Sequence, residues 1–435
     1  MNSALDFINS LPMFGTEEGF KPGLDRVNRL IDLLDIDLES LDFIHVAGSN
    51  GKGSTIAMLN SIYNQAGYKV GKYISPHVRK FNERIQIDNK DITENQLNEL
   101  IKIIKPLYEN DRYWQDIGKP TFFEVVTVLA LYYFYLERPD IILLETGLGG
   151  RYDATNVIPS PLLSIITTID LEHTEYLGDK ISLIAKEKAG IIKEDSMVVT
   201  GETKQEALDV IKAKATSVNA DFFNSKDLFK LSRINENLKE QEFKLKINNS
   251  SYIMKMPLKG RYQLNNAEVA LSAIQLLQFL LPVEINSIRK GFQEVNWPGR
   301  LEVINETPPI ILDGSHTAEG VKTLVNFLKD NFSSNNKFII ILAVLKDKDI
   351  ESIIANLLFS EQVELIFTEN NSFRALKVKD LKVNSKGKIK KSEQKLLETV
   401  KEQLENQKSD EVISITGSLS SVIELRDYLL KRNRG

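Results

Sequence analysis

The stretch Ala47-Gly48-Ser49-Asn50-Gly51-Lys52-Gly53-Ser54-Thr55 stands between two segments of different periodicity. Before it, Phe43 to Val46 is a short apolar run of strand type. After it, Thr55 to Ala66 follows a helical pattern that stops before Gly67. Strand, glycine-rich loop and helix in that order are the setting of a phosphate-binding loop. Gly48, Gly51 and Gly53 let backbone N–H groups approach phosphate oxygens with no Cβ in the way. The helix N-terminus adds partial positive charge. Lys52 adds a full charge, and a hydroxyl at Ser54 or Thr55 can face a metal ion. The spacing departs from the strict Gly-x-x-x-x-Gly-Lys-[Ser/Thr] form, because Val46 holds the first glycine position and Gly53 separates Lys52 from Ser54. That departure points to a subgroup of nucleotide-binding loops; the surrounding context disfavours a chance glycine turn.

The rest of the chain fits an enzyme built around such a loop. Its 435 residues allow about two or three domains with ample core. Apolar content of 42% and charged content of 26% are ordinary for a globular protein, and a net charge of −5 gives no bias toward nucleic acid or anionic membrane. The absence of cysteine excludes disulfides, thiolate zinc sites and cysteine nucleophiles. A metal site must then use oxygen ligands and the four histidines, which favours magnesium over zinc. The start Met1-Asn2-Ser3-Ala4-Leu5-Asp6-Phe7-Ile8 lacks the basic region and apolar core of an export signal. The most apolar stretch, Val125 to Leu136, is too short to span a bilayer and is flanked by Glu124 and Glu137, so a buried helix is expected. These features lead us to expect a cytoplasmic, monomeric enzyme acting on small molecules.

Apolar runs alternate with amphipathic helical patterns, which predicts an α/β fold with a mainly parallel sheet. Strands are expected at Phe43–Val46, Val70–Ile74, Ile141–Leu144, Leu162–Thr167 and Met197–Thr200. Between Phe243 and Met256, alternating apolar residues and lysines turn at Asn248-Asn249-Ser250-Ser251, a small antiparallel hairpin. A helix is expected from Leu264 to about Leu280. The break Asn296-Trp297-Pro298-Gly299-Arg300 marks a boundary that divides the chain into domains 1–297 and 298–435. Beyond it, Ile310–Leu312, Phe338–Leu342, Val363–Phe367 and Val412–Ile415 predict a second, smaller, Rossmann-like α/β domain without a phosphate loop, an accessory lobe closing on the first. The lysine-rich run Lys386 to Lys395 reads as a solvated loop or helix face.

Candidate chemistry gathers where predicted strands end, since ligands of open parallel sheets bind there. Strand Ile141–Leu144 runs into Glu145-Thr146-Gly147-Leu148-Gly149-Gly150-Arg151, where Glu145 is placed to hold Mg²⁺ directly or through water. The next strand runs into Thr167-Thr168-Ile169-Asp170-Leu171-Glu172-His173. His77, in Ile74-Ser75-Pro76-His77, and His316, in Leu312-Asp313-Gly314-Ser315-His316, also follow strands, whereas His45 lies inside one and is expected to be packed or backbone-bonded. Ser75 offers a hydroxyl to a metal or substrate. The helix Ile181 to Ile192 carries Lys186-Glu187-Lys188; an ammonium cannot bind Mg²⁺, but a lysine to which carbon dioxide has added can. Gln263 and Asn266, three apart, share a helix face. Arg300 and Asp313 together could reach across to a nucleotide.

The ordered series His-Val-Ala-Gly-Ser-Asn-Gly-Lys-Gly-Ser, Ile-Ser-Pro-His, Glu-Thr-Gly-Leu-Gly-Gly-Arg-Tyr-Asp-Ala-Thr-Asn, Glu-His-Thr-Glu-Tyr-Leu-Gly, Glu-Lys-Ala-Gly, Gly-x-x-Gln-x-x-Asn-Ala, Pro-Gly-Arg and Asp-Gly-Ser-His resembles the folylpolyglutamate synthase/dihydrofolate synthase family. Its members are ATP-dependent amide ligases related to the Mur ligases of cell-wall synthesis, and the resemblance runs from about residue 20 to residue 428. It implies an ATP-binding domain 1–297, a glutamate-ligase domain 298–435, and a reaction in which ATP phosphorylates a folate carboxylate that glutamate then attacks. It further implies that Asn50, Gly51, Lys52, Gly53 and Ser54 hold the phosphates, with Asn266, Arg300, Asp313 and His316 at the nucleotide. Ser75, Glu145 and His173 would be Mg²⁺ ligands, and Lys188 a carbamylated lysine that acts with Lys52 and His173 in catalysis. Thr121, Phe122, Phe123, Glu124, Tyr152, Asp153 and Ala154 would meet the pterin end. Two departures stand out. Thr317 and Ala318 replace the family's usual Asn-Pro, and Thr146 follows Glu145 where valine is common.

Two other functions compete. A Mur-type ligase acting on cell-wall precursors shares the loop, yet usually has a further N-terminal domain, and here only about 40 residues precede the loop. A nucleotide-dependent switch would need an Asn-Lys-x-Asp base reader; Leu345-Lys346-Asp347-Lys348 is the nearest stretch and lacks the asparagine.

Overall fold

The protein is described by a computed structural model covering residues 4–13, 23–77, 79–247, 250–381 and 389–432. Two compact units divide the chain. The first comprises Met1–Ser232, Leu245–Tyr252 and Tyr262–Val295, and the second Arg233–Lys244, Ile253–Arg261 and Asn296–Gly435.

The first unit is built on an eight-stranded sheet. Its strands are β1 (Phe43–Ala47), β2 (Val70–Tyr73), β3 (Ile85–Ile87), β4 (Lys90–Asp91), β5 (Ile141–Glu145), β6 (Leu163–Ile166), β7 (Met197–Thr200) and β8 (Asp221–Asn224), in the order β4-β3-β2-β5-β1-β6-β7-β8. The central pairings are parallel, while β3 runs antiparallel to β2 and β4 to β3. Every residue of β1 and β5 is buried, as continuous apolar strands covered on both faces should be. β1 lies between β5 and β6, so the loops leaving these three strands converge at one edge of the sheet.

Helices cover the sheet. Lys52–Gln65 follows β1 directly. The apolar stretch 125–136 lies within the helix Phe122–Glu137, which opens with a capping box between Thr121 and Glu124 and belongs to the main core of this unit. No helix among the described residues is long and apolar enough to cross a membrane. The helix expected at 181–192 is Ile181–Ala189, ending at Gly190, and that expected at 264–280 is Arg261–Leu276.

Three further strands, β9 (Ser232–Glu236), β10 (Gln241–Ile247) and β11 (Ser250–Met256), form a small sheet in the order β11-β10-β9. Gln241, Phe243 and Leu245 are its buried row. The expected turn residues Asn248 and Asn249 lie outside the described residues.

The second unit carries a six-stranded sheet of β12 (Glu302–Glu306), β13 (Pro309–Leu312), β14 (Lys337–Leu342), β15 (Val363–Glu369), β16 (Ile389–Lys395) and β17 (Glu411–Thr416). Their order is β12-β13-β17-β14-β15-β16. Only β12 is antiparallel to its neighbour. Here one reading needs correction. Residues 389–395 of the lysine-rich run are neither loop nor helix face but the edge strand β16, paired with β15. Its mostly exposed polar side chains hid the strand from a search for apolar runs, and lysines on an edge strand discourage pairing with another chain. Lys386 and Lys388 lie outside the described residues.

Candidate active site

The loop after β1 has the shape that its glycines permit. Gly51 precedes the helix Lys52–Gln65 with φ of 90°, a left-handed conformation open to glycine at little cost. A Cβ added there would lie 2.3 Å from Asn266 Oδ1, and one on Gly48 would lie 1.8 Å from Thr167 Oγ1. The loop is fastened to the segment after β6. Ser49 N–H donates to the Thr168 carbonyl at 2.7 Å. Asp170 N–H donates to Ser49 Oγ at 2.9 Å, and that hydroxyl donates to the Asp170 carbonyl at 3.0 Å. Thr167 Oγ1 donates to the Asn50 carbonyl at 2.6 Å. Lys52 folds back over the loop, with Nζ donating to the Gly48 carbonyl at 2.7 Å.

The helix Arg261–Leu276 meets this loop through two buried amides. Gln263 Nε2 donates to Ser54 Oγ at 3.2 Å, and Asn266 Nδ2 donates to Gln263 Oε1 at 2.9 Å. Both candidate hydroxyls are buried. Ser54 has this partner, whereas Thr55 Oγ1 has none among the described residues.

Glu145 ends β5 beside β1, in register with Val46, and is buried. Its Oε2 accepts the Ser75 N–H at 3.1 Å, so the structure brings these two predicted metal ligands together. His173, with φ of 45°, starts the short helix Thr174–Leu177 and directly follows Glu172. Among the described residues, no three His, Asp or Glu side chains are grouped closely enough to hold a metal ion by themselves. The donor set nevertheless suits Mg²⁺: one buried carboxylate beside a serine, hard oxygen donors that leave coordination positions for phosphate and water.

Lys188 is 1% exposed, and its Nζ lies 2.6 Å from Glu172 Oε1. Burial lowers its pKa to about 8, with Lys52 adding to the effect and Glu172 opposing it. Burial also pushes the Glu172 carboxyl up, but the charges of Lys188 and Lys52 outweigh it and hold the group at about 2. The glycine turn after Glu145 lies directly on the helix carrying Lys188. A Cβ on Gly150 would sit 2.7 Å from the Glu187 carbonyl oxygen and 3.0 Å from Lys188 Cα. Arg151 N–H donates to that carbonyl at 2.8 Å. Asn156 Nδ2 donates to the carbonyls of Arg151 and Gly190 at 3.0 and 3.2 Å.

The residues expected at the pterin end are largely engaged within the chain. Asp153 Oδ2 accepts the N–H groups of Gly147 and Leu148 at 2.9 and 2.8 Å, and Oδ1 accepts that of Thr155 at 3.0 Å. Burial raises its pKa against these bonds. Glu124 closes the capping box with Thr121 and pairs with Arg26 at 2.7 Å. The Phe122 ring meets Phe81 edge-on, and the Phe123 ring packs against Gly147. Tyr152 is 43% exposed, with the Arg151 guanidinium 5.0 Å from its ring centre, while Ala154 is buried.

The histidines differ in surroundings. His45 Nε2 pairs with Thr155 Oγ1 at 2.8 Å, a side-chain rather than a backbone partner. Burial, helped by Lys193, takes His45 down to about 3, so it is neutral. His77 Nδ1 accepts from Arg84 Nε at 3.0 Å, and burial with that guanidinium lowers it to about 4.

In the second unit, Asp313 is buried after β13. Its Oδ1 accepts the Leu301 N–H at 3.1 Å and its Oδ2 the Ser315 N–H at 3.2 Å. Burial raises its pKa while the Ser315 bond and the Arg300 charge pull it back. His316 Nδ1 lies 3.1 Å from the Gly314 carbonyl and so carries a proton.

Sequence reasoning assigned no role to Thr167, Glu172 or Ser49, and saw in Gln263 only a shared face with Asn266. Glu172 was within reach, since it directly precedes His173; the other pairings join distant segments and leave no local pattern.

Comparison with known proteins gives the family of the chain. The family profile described as Mur ligase middle domain matches residues 46–274, and that described as Mur ligase, glutamate ligase domain matches residues 299–419. A dihydrofolate synthase/folylpolyglutamate synthase of Bacillus subtilis is 35% identical over 416 residues, covering 94% of this chain and 96% of that protein. The chain belongs to the folylpolyglutamate synthase/dihydrofolate synthase family of the Mur ligase superfamily. Within that family, a Mycobacterium tuberculosis folylpolyglutamate synthase complexed with ADP superposes with a TM-score of 0.88 at 29% identity, covering 98% of this chain and 97% of that one. The Escherichia coli FolC in complex with DHPP and ADP gives 0.85 at 25% identity, covering 99% of each chain. As a family member the protein is an ATP-dependent ligase. Its relatives are folate enzymes, which makes the cell-wall-ligase alternative the weaker reading.

Proposed function

We propose that this protein adds L-glutamate to the carboxylate of a folate-type acceptor, tetrahydrofolate or dihydropteroate, at the expense of ATP. The observation that carries the reading is the fastening of the phosphate loop to the segment holding Glu172 and His173, at the same sheet edge as Glu145 and Ser75. Phosphoryl transfer to a carboxylate needs that combination: donors for the phosphates and oxygen ligands for a cation beside them.

In this reading Asn50, Gly51, Lys52, Gly53 and Ser54 bind the ATP phosphates, and Asn266 supports the loop from behind. Arg300, Asp313 and His316 are further nucleotide residues. The γ-phosphoryl group passes to a carboxylate oxygen of the acceptor and ADP is released. The glutamate amine attacks the acyl carbon, loses a proton, and inorganic phosphate departs. Ser75, Glu145 and His173 would hold Mg²⁺, which would supply positive charge against the phosphates and the carboxylate. Lys188 is carbamylated: the neutral amine adds carbon dioxide and releases a proton, giving an anionic oxygen group. With a pKa near 8, roughly one lysine in ten is neutral at pH 7, far more than for an ordinary lysine. Phe122, Phe123, Tyr152 and Ala154 supply apolar surface for the pterin, while Thr121, Glu124 and Asp153 shape that surface. The enzyme works as a cytoplasmic monomer on small molecules, without nucleic acid or membrane partners.

A phosphate-release assay with ATP, L-glutamate and either dihydropteroate or tetrahydrofolate tests the reading. Release should need both acceptor and glutamate. Oxygen-18 placed in the acceptor carboxylate should appear in the released phosphate. Unlabelled phosphate would exclude the acyl-phosphate route.

A further inference from the structure

The reaction described so far leaves Arg84, a buried cation of the first unit, without a task. Arg84 closes the short turn Phe81–Arg84 at the foot of β3 and is 8% exposed. Its surroundings are those of the candidate site. Tyr73 of β2 pairs in register with Ile85 of β3 and with Leu144 of β5, which places Arg84 next to the end of β2. The Arg84 carbonyl accepts the Ile74 N–H at 3.0 Å, one residue before Ser75, and Ser75 is bonded to Glu145. The Glu145 carboxylate is close enough to raise the guanidinium's pKa against burial, which is the larger effect and lowers it.

The groups in direct contact with the guanidinium are an aromatic ring and an imidazole. Its Cζ lies 5.5 Å from the centre of the Phe122 ring. Its Nε donates to His77 Nδ1 at 3.0 Å, so that ring nitrogen is an acceptor and brings no positive charge to the pair. No described carboxylate forms an ion pair with Arg84, although the partly buried Arg26 and Arg426 each hold a glutamate bidentately. Among the described residues, the bond to His77 uses one of the five guanidinium N–H donors. A histidine on Nε and a ring beneath the plane fix its orientation and leave the terminal nitrogens as a fork of the geometry that matches a carboxylate.

We propose that Arg84 binds the acceptor carboxylate that becomes the acyl phosphate. The inference rests on the functional reading above and adds to it the residue that recognises the reacting group. Held by Arg84, the carboxylate sits near Glu145 and Ser75, with its charge partly neutralised before phosphoryl transfer. The Phe122 ring that supports the guanidinium also belongs to the surface assigned to the pterin, so one aromatic side chain orients both ends of the recognition. His77 acts as a positioning residue, through Arg84.

The test compares binding of a carboxylate with binding of its uncharged amide. Dihydropteroate and its carboxamide, or tetrahydrofolate and its γ-carboxamide, are titrated against the wild-type protein, Arg84→Gln and Arg84→Lys. The wild type should prefer the carboxylate by about tenfold or more. Arg84→Gln should bind both ligands of a pair about equally, with carboxamide affinity changed less than about threefold. Arg84→Lys, which keeps the charge but loses the fork, should retain only part of the preference. Three results would overturn the proposal: a wild type without preference, an Arg84→Gln protein that keeps it, or an equal weakening of both ligands. The wild-type comparison stands even if a variant fails to fold. A wild type that binds no pterin of either pair would instead remove the functional reading, and this inference with it.

Discussion

Lys188 Nζ lies 2.6 Å from Glu172 Oε1, and the lysine in that pair is almost wholly buried. A buried lysine whose proton is weakly held is a lysine prepared to react with carbon dioxide. Lys188→Ala should therefore lose most ligase activity, and short carboxylates such as acetate or formate should restore part of it by filling the vacated space. Lys186→Ala, exposed on the same helix, should change little. Mass spectrometry under ¹³C-bicarbonate, with trapping of the adduct, should place the label on Lys188. Wild-type rates in Lys188→Ala would end the carbamate hypothesis.

The Glu172 carboxylate makes a second, separable prediction. Its folded pKa of about 2 lies below the ordinary value of 4.5, so its contribution to stability is complete above about pH 4.5 and fades as pH falls toward 2. In protein stripped of carbon dioxide, with Lys188 unmodified, Glu172→Gln should be less stable than wild type at neutral pH, by on the order of 1–3 kcal/mol. The difference should narrow in urea unfolding at about pH 3. A gap that stays constant with pH would mean that the ion pair contributes nothing to folding.

Two glycines separate backbone strain from site geometry. Gly51 and Gly67 have nearly the same φ, 90° and 92°. A Cβ on Gly67 meets nothing within 4 Å, whereas one on Gly51 would displace Asn266. Both alanine variants should lose about 1 kcal/mol of stability from the left-handed backbone. Only Gly51→Ala should lose nucleotide affinity, by tenfold or more. Equal ATP affinities in calorimetry would contradict the role given to Asn266.

Lys52→Ala tests the loop itself. Among the described residues, Lys52 Nζ bonds to its own loop carbonyl alone, so its removal costs little packing. Thermal stability should stay within a few degrees of wild type while ATP turnover is lost. A variant that keeps near wild-type turnover would show that Lys52 does not serve the phosphates.

The parts of this fold that can be read along the chain are those with a local cause. β1, β2, β5, β6 and β7 lie where apolar runs predict strands, because strands covered on both faces leave an unbroken apolar signature. The short β3 and β4, the partly exposed β8 and the lysine-bearing β16 carry no such run; pairing with a neighbour makes them strands. The phosphate loop is legible for the same local reason, since glycine spacing reports backbone need directly. The partners that hold the site are not. Gln263 is 209 residues from Ser54, and Asn50 is 117 from Thr167, separations at which no periodicity survives. Family resemblance points to Asp153 and Thr121 by position, but only the folded chain reveals that their polar atoms are already engaged.

Thr121 offers a measurement that distinguishes shaping a site from touching a substrate. Its hydroxyl caps the helix Phe122–Glu137, and Glu124 returns a bond to the Thr121 N–H at 2.7 Å. Thr121→Ala removes the cap acceptor and should cost about 1 kcal/mol of stability, read as a lower urea midpoint. Glu124 keeps its pair with Arg26, so the helix start should loosen rather than unravel. If Thr121 only shapes the pterin surface, KM for the folate acceptor should rise in proportion to that loosening, and kcat should hold. Thr121→Ser, which keeps the capping oxygen, should then restore both stability and KM. A large KM defect that persists in Thr121→Ser, at wild-type stability, would show instead that the threonine methyl group meets the substrate directly.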